Sequence, residues 1–139
     1  MIQFINNPFQ IDDNKLKSWL LASAVYHHAN IEKLIYYFIS KEKMHKLNLR
    51  YLNHDTHTDI LTFPYGNNKN IISEVYISID QATENASKYS QAIENEILRL
   101  ISHGFLHSIG FLDDAQDHKQ KMTKEEDVMV NMFHVKHYI

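Results

Sequence analysis

The sequence predicts an α+β fold, in which a mixed sheet of about four strands packs with about five helices in a single domain. Short segments rich in β-branched and aromatic residues alternate with longer segments whose apolar residues recur at helical spacing. Clusters of Asn, Gly and Pro separate these segments, and no repeat or low-complexity linker divides the chain. Because 139 residues can enclose one hydrophobic core, we expect residues 1–139 to form one domain.

The composition excludes several classes of protein. Apolar residues make up 44% of the chain and charged residues 22%, which is typical of globular proteins. The absence of cysteine excludes disulfides and thiolate metal sites. The N-terminus does not have the pattern of a signal peptide, and no apolar run approaches the roughly 18 residues of a membrane span. A net charge of −3 does not by itself indicate nucleic-acid binding, which would need a local basic patch.

The first half of the chain predicts two strands and two helices. Residues 2–5 form a short apolar segment that fits an edge strand. Asp12 or Asp13 can cap a helix that extends to about residue 30. Residues 34–39 are β-branched and aromatic and fit a central strand. A short helix follows, from residue 41 to about residue 49.

The second half predicts two more strands and three helices. After a polar loop at residues 53–57, alternating apolar residues predict strands over residues 58–63 and 71–79, separated by an Asn-rich loop at residues 66–70. The three helices are predicted over residues 80–89, 91–109 and 119–137.

The most informative segment lies at the end of the second of these three helices. His103 and His107 are four residues apart, so on a helix both imidazoles face the same point. Gly110 can adopt the left-handed conformation that ends a helix, and Asp113 follows the turn. Two imidazoles and a carboxylate suit one divalent ion such as zinc and leave a fourth position for water or substrate. The simpler alternative is two histidines packed at a helix end with Asp113 as a turn residue.

The spacing also resembles that of zinc peptidases, but Gly104 occupies the position of their catalytic glutamate, which opposes a peptidase function. A basic segment precedes the second half of the chain, and its residues could hold a phosphate backbone or simply form a solvated helix face. The candidate RNA-binding residues are Lys41, Lys43, Lys46 and Arg50.

Three blocks of sequence are informative when they are taken together. One is His-Gly-x-Leu-His-x-x-Gly-Phe over residues 103–111. The second extends from Leu47-Asn48 to Thr-Asp-Ile-Leu-Thr-Phe-Pro at residues 58–64, and the third is the strand at residues 74–78 with Ala82 and Ala86 after it. Together these blocks resemble the YbeY family of bacterial endoribonucleases, which are ribosomal RNA maturation factors. Most members of the family have histidine at the position of Asp113, so His118 is an alternative third ligand. Many members also have an arginine at the position of Leu52.

The resemblance implies a zinc-dependent, single-strand-specific endoribonuclease that acts in ribosomal RNA 3′-end processing and in ribosome maturation and quality control. It implies a cytoplasmic protein whose partners are ribosomal RNA and the small ribosomal subunit, with a ribosomal protein or a GTPase as a candidate protein partner and no membrane. The general base is not assigned, since Asp59 and His57 are candidates only through their place in the second block. Two alternatives remain, a non-catalytic ribosome-assembly factor with a structural metal and, less favoured, a small metallopeptidase.

Overall fold

A computed structural model describes residues 1–52 and 58–135. Within these residues the chain forms four strands and five helices, which confirms the predicted α+β architecture. The elements are β1 (Ile2–Ile5), α1 (Asp13–Tyr26), β2 (Asn30–Ile39), α2 (Lys41–Leu52), β3 (Ile60–Pro64), β4 (Asn70–Ser78), α3 (Ile79–Lys88), α4 (Ile93–Ser108) and α5 (Gln116–Val135). The loop predicted at residues 53–57, with His57, and residues 136–137 of the last predicted helix lie outside the described residues.

The four strands form one mixed sheet in the order β1-β2-β4-β3. The pairs β1–β2 and β2–β4 are parallel, because a helix connects the two strands of the first pair and a longer segment connects those of the second. The strands β3 and β4 are joined by a short Asn-rich loop and pair antiparallel. β1 is an edge strand, as predicted, and β3 forms the other edge.

Strand β2 begins four residues earlier than the sequence predicted, and α1 ends earlier than predicted, at Tyr26. His28 has a positive φ of 56°, which ends the helix. The backbone N–H of Asn30 then donates to the carbonyl of Lys69 at 2.8 Å, and the Asn30 amide donates to Asn70 Oδ1 at 2.7 Å. Pairing with β4 therefore extends β2 into a largely polar segment, in which only Ile31 has a high strand propensity.

The hydrophobic core lies on one face of the sheet, under α1 and α4. The core side chains of β2 and β4 alternate along each strand, and α5 covers α4 and α1 on the far side. Two buried polar groups connect the layers. The Tyr36 hydroxyl of β2 donates to the carbonyl of Ile101 in α4 at 2.8 Å, and Trp19 Nε1 of α1 donates to the carbonyl of Met129 in α5 at 2.7 Å.

The opposite face of the sheet is covered by α2 and is richer in tyrosine. Tyr37 and Tyr76 are neighbours on β2 and β4, and their rings stack with centroids 4.7 Å apart. Helix α2 contacts β4 and α3, and it buries Met44 almost completely. None of the helices in residues 1–52 and 58–135 has the length and apolar character needed to cross a membrane.

Helix α4 approaches the sheet most closely at Gly104. A Cβ atom at this position would lie 2.8 Å from Val75 Cγ1 and 3.1 Å from Val75 Cγ2. Val75 is fully buried in β4, and its β-branched side chain has little freedom to rotate away. Gly104 therefore sets how closely α4 lies on the sheet.

We expect Gly104→Ala to destabilise the protein by about 1–3 kcal/mol, because the added methyl group overpacks the contact with Val75. Urea unfolding followed by circular dichroism measures this change. In a Val75→Ala background the clash is absent, so Gly104→Ala is expected to be neutral or stabilising there through its better helix propensity. An equal cost in both backgrounds would contradict the close-approach explanation.

Candidate metal centre

The end of α4 brings the two motif histidines together. Their ring centroids are 4.5 Å apart and the rings are nearly perpendicular. Gly110 has a φ of +102°, and the N–H of Phe111 turns back to donate to the carbonyl of Leu106 at 3.0 Å. This left-handed turn reverses the chain direction after the helix. Asp113 is thereby carried back to the face of α4 on which the histidines lie.

Hydrogen bonds orient both imidazole rings. His107 Nδ1 donates to the carbonyl of Phe111 at 2.9 Å, and His103 Nδ1 lies 2.5 Å from Glu126 Oε2 on α5. A carbonyl and a carboxylate accept hydrogen bonds, so in its neutral form each ring carries its proton on Nδ1 and leaves the lone pair of Nε2 for a metal. Metal-binding histidines are commonly held in this way by an acceptor on the second ring nitrogen.

Asp113 completes the group. Its Oδ2 atom lies 3.2 Å from His103 Nε2 and 3.5 Å from His107 Nε2. The ligand atoms of the three residues, one from each, all lie within 4.8 Å of one another. Zinc bonds of about 2.0–2.2 Å in tetrahedral geometry place their ligand atoms about 3.4 Å apart. The three donors therefore fit one divalent ion by type and by spacing.

His118, the alternative third ligand, lies elsewhere. Its Nδ1 is 2.5 Å from Asp114 Oδ1, one turn before it in the chain, and the pair is exposed. This contact lowers the pKa of the Asp114 carboxyl, chiefly through the hydrogen bond from His118. Among the described residues, the group that could hold a metal includes Asp113 and does not include His118.

Burial and the nearby charges shift the pKa of His103 in opposite directions. Its side chain is only 13% exposed, and this burial alone would lower its pKa. The hydrogen bond to Glu126 and the negative charges of Glu126 and Asp113 outweigh that effect, so the pKa of His103 is raised. The two carboxylates therefore favour positive charge at this point, whether it is a proton or a metal ion.

A network of charged residues lies beside the three candidate ligands, centred on Arg99. The Nε and Nη2 atoms of Arg99 donate to the two Glu96 oxygens at 2.9 and 2.8 Å. Its Nη2 lies 3.7 Å from Asp59 Oδ2 and its Nη1 3.8 Å from Glu126 Oε1. The hydrogen bond to Glu96 raises the pKa of Arg99, despite burial, and the charges of all three carboxylates add to this. Arg99 is thus permanently charged and held in one orientation.

Glu96 and Asp59 both belong to this network, and Asp59 is one of the two residues considered above as a general base. Glu96 does not contact His103; it pairs with Arg99, and Asn85 Nδ2 donates to it at 3.2 Å. Asp59 accepts from the same Asn85 amide at 3.0 Å and also faces Arg99. Both carboxylates therefore hold Arg99 in place.

A cavity of about 630 Å³ lies over the candidate metal group, between β3 and α4. Arg99 is the only lysine or arginine among the described residues that line it. The basic residues predicted to bind RNA lie on α2, away from this cavity. Lys41 pairs with Glu84 at 3.3 Å, and the other three, Lys43, Lys46 and Arg50, line a separate cavity of about 260 Å³.

Sequence reasoning missed Arg99 and Glu126, and the two cases differ. Arg99 precedes His103 by one helical turn, so the spacing that pairs the histidines also places Arg99 on their face, and this signal was available. Glu126 lies on a different helix, 23 residues after His103. No local spacing connects the two, because only the packing of α5 on α4 brings them together.

Known proteins are similar to this chain over nearly its whole length. The family model described as endoribonuclease YbeY matches residues 2–134. Among curated relatives named endoribonuclease YbeY, the protein from Flavobacterium johnsoniae is 34% identical over 137 residues, covering 97% of this chain and 99% of the relative. The one from Amoebophilus asiaticus is 36% identical over 129 residues, covering 91% of this chain and 84% of the relative.

The fold also matches a solved structure. A Thermotoga maritima protein, determined in solution, superposes with a TM-score of 0.72 at 22% identity. The match covers 96% of this chain and 89% of that one. At this identity the likeness concerns the fold alone, and it supports the arrangement of strands and helices described above.

Glu126→Gln is expected to weaken zinc binding about tenfold or more, because the neutral amide holds the His103 ring without the charge that favours a cation. Competition with a chromophoric chelator measures the affinity. Glu125→Gln changes the neighbouring carboxylate and is expected to bind zinc as the wild type does. Equal zinc affinity in the Glu126→Gln variant and the wild type would contradict the role assigned to this contact.

Proposed function

The chain belongs to the YbeY family of endoribonucleases, which hydrolyse RNA, and from that premise we propose that residues 1–139 form one zinc-dependent domain that cleaves single-stranded RNA. We assign His103, His107 and Asp113 as the metal ligands. The observation that carries this proposal is the convergence of two free Nε2 atoms and one carboxylate oxygen on one point. A cavity over that point gives a substrate access to it.

A bound zinc ion would polarise a phosphoryl oxygen and lower the pKa of a bound water towards about 7. The protein contributes orientation and charge around it. Glu126 holds the His103 ring, and the Phe111 carbonyl holds the His107 ring. Asp113 brings a negative charge where most of the family has a neutral histidine, which would make a bound metal a weaker Lewis acid. The carboxylate of Glu126, close to His103, would add to this electron donation.

Arg99 is the cation that would meet the substrate phosphate. Many members of the family have an arginine at the position of Leu52, and leucine has no charge with which to replace it. Arg99 lines the same cavity as the ligands and keeps donors on Nη1 and Nη2 that its bonds to Glu96 do not use. Its fixed orientation costs little entropy when a phosphoryl oxygen binds. We propose that Arg99 stabilises negative charge on the phosphate during cleavage.

The basic cavity on α2 is the second part of the proposal. Lys43, Lys46 and Arg50 line it, and none of the described residues that line it is acidic. Cations grouped on one surface attract a phosphate backbone, and their effect weakens with salt. We propose that this surface binds RNA outside the metal cavity, in support of a role in ribosomal RNA 3′-end processing on the small ribosomal subunit. The ribosomal partners are inferred from the family alone.

The wild type loaded with zinc is expected to cleave a single-stranded RNA and to lose this activity with a chelator. His107→Ala and Asp113→Ala remove ligands, so both should lose bound zinc and cleavage, measured by metal analysis and on a denaturing gel. His118→Ala is the matched control and should keep both. A wild type that binds zinc but leaves RNA intact would contradict the nuclease and favour an assembly factor with a structural metal.

Removing charge from the basic cavity is expected to weaken RNA binding and its dependence on salt. For Lys46→Gln with Arg50→Gln, the slope of log affinity against log salt should fall by about 0.7 for each phosphate that the protein no longer neutralises. Fluorescence anisotropy with a labelled single-stranded RNA measures the slope. Lys15→Gln removes a charge on α1 and should leave the slope unchanged. An unchanged slope in the double variant would exclude this surface from RNA binding.

A further inference from the structure

The sheet face under the end of α2 carries a cluster of aromatic rings next to the basic cavity. Phe63 of β3 lies between two of them, with ring centroids 5.9 Å from Tyr51 and 5.8 Å from Tyr76, both nearly perpendicular to it. Tyr76 in turn stacks on Tyr37. Tyr51 and Tyr65 are 56% and 63% exposed, so rings of this cluster remain open to a ligand.

These rings enclose a small cavity, which we call the aromatic pocket. It measures about 150 Å³, and its lining residues are Leu47, Tyr51, Phe63, Tyr65, Glu74 and Tyr76. The basic cavity of about 260 Å³ adjoins it, because Leu47 and Tyr76 line both. A ring-lined pocket and a cation-lined cavity therefore share a wall.

We propose that the two cavities together bind one nucleotide of single-stranded RNA, with the base among the rings of the aromatic pocket and its phosphate among Lys43, Lys46 and Arg50. This inference rests on the proposed function and describes how a part of the substrate that is distant from the metal is bound. Aromatic side chains stack on any base through its flat face, and lysine and arginine attract the backbone. Duplex RNA cannot bind in this way because its bases are already stacked and paired.

Glu74 determines which end of a nucleotide enters which cavity. Its carboxylate lines the aromatic pocket. A negative charge there repels a phosphate but not an uncharged base. The phosphate is left to the cavity whose charged residues are all positive.

The position of the pocket fits a substrate that also reaches the metal cavity. In β3, Thr62 pairs with Val75 of the core face, whereas Phe63 pairs with Glu74 of the opposite face. The metal cavity is lined by β3 on one side, and the aromatic pocket includes Phe63 on the other. Because β3 is the last strand of the sheet that the described residues form, a single RNA strand that crosses it can contact both sites.

The test compares the wild type with a double variant, Tyr51→Leu with Tyr65→Leu, in binding a fluorescein-labelled single-stranded RNA. Affinity is measured by fluorescence anisotropy at low temperature, and a gel checks that the RNA stays intact. We expect about tenfold weaker binding or more, the effect of losing stacking on a base. Tyr51→Phe with Tyr65→Phe keeps both rings and should retain wild-type affinity. The matched control is Tyr89→Leu, because Tyr89 is 61% exposed and has Lys88 5.4 Å from its ring, as Arg50 is 5.4 Å from that of Tyr51.

A blunt duplex of the same sequence separates stacking from general attraction. The leucine variant should bind the duplex as the wild type does. The wild type and the phenylalanine variant, but not the leucine variant, should quench 2-aminopurine placed in the single strand. Unchanged single-strand affinity in the leucine variant, or an equal loss for the duplex, would overturn the inference. An RNA-cleavage assay on the same wild-type preparation tests the proposed function separately. If the wild type cleaves RNA and the leucine variant binds RNA as tightly as the wild type, only the proposed nucleotide site is overturned. If the leucine variant binds RNA more weakly but the wild type does not cleave RNA, only the proposed nuclease activity is overturned.

Discussion

The close approach of α4 to the sheet governs the rest of this structure. Gly104 lets the helix lie against Val75, where even one methyl group would come within 2.8 Å of the valine side chain. The Tyr36 hydroxyl then fixes the helix through the Ile101 carbonyl. Since Gly104 stands between His103 and His107, the contact that seats the helix also fixes the height and rotation of both imidazoles. The same residue leaves no carboxylate at the position that a zinc peptidase needs.

Charge is arranged in layers around the candidate metal centre. The inner layer holds two imidazoles and Asp113, and the next holds Glu126 and Arg99. Glu96 and Asp59 then surround the guanidinium of Arg99. Each buried or half-buried charge thus has an opposite charge nearby, which is the condition under which such charges are tolerated. Arg99 connects the outer carboxylates to the cavity in which a phosphate would bind.

The extent to which the sequence predicts this arrangement depends on how local each feature is. The pairing of His103 with His107 and the return of Asp113 after Gly110 follow from helical period and turn chemistry, and the structure brings the three together. The four strands were also predicted from their residue types, although β2 extends to Asn30 because its partner strand imposes the pairing. The contact of Glu126 with His103 could not be predicted, since it depends on how α5 packs on α4. The aromatic pocket is likewise built from α2, β3 and β4, and no single segment indicates it.

The most direct test of the metal centre is a crystal structure of the zinc-loaded protein with anomalous scattering collected at the zinc edge. We predict one anomalous peak per chain, bonded to His103 Nε2, His107 Nε2 and Asp113 Oδ2, with the fourth position open to the cavity that Arg99 lines. A peak between His118 and Asp114, or a fully protein-ligated ion closed off from the cavity, would contradict this prediction. The first result would remove Asp113 from the site, and the second would leave the metal a structural role.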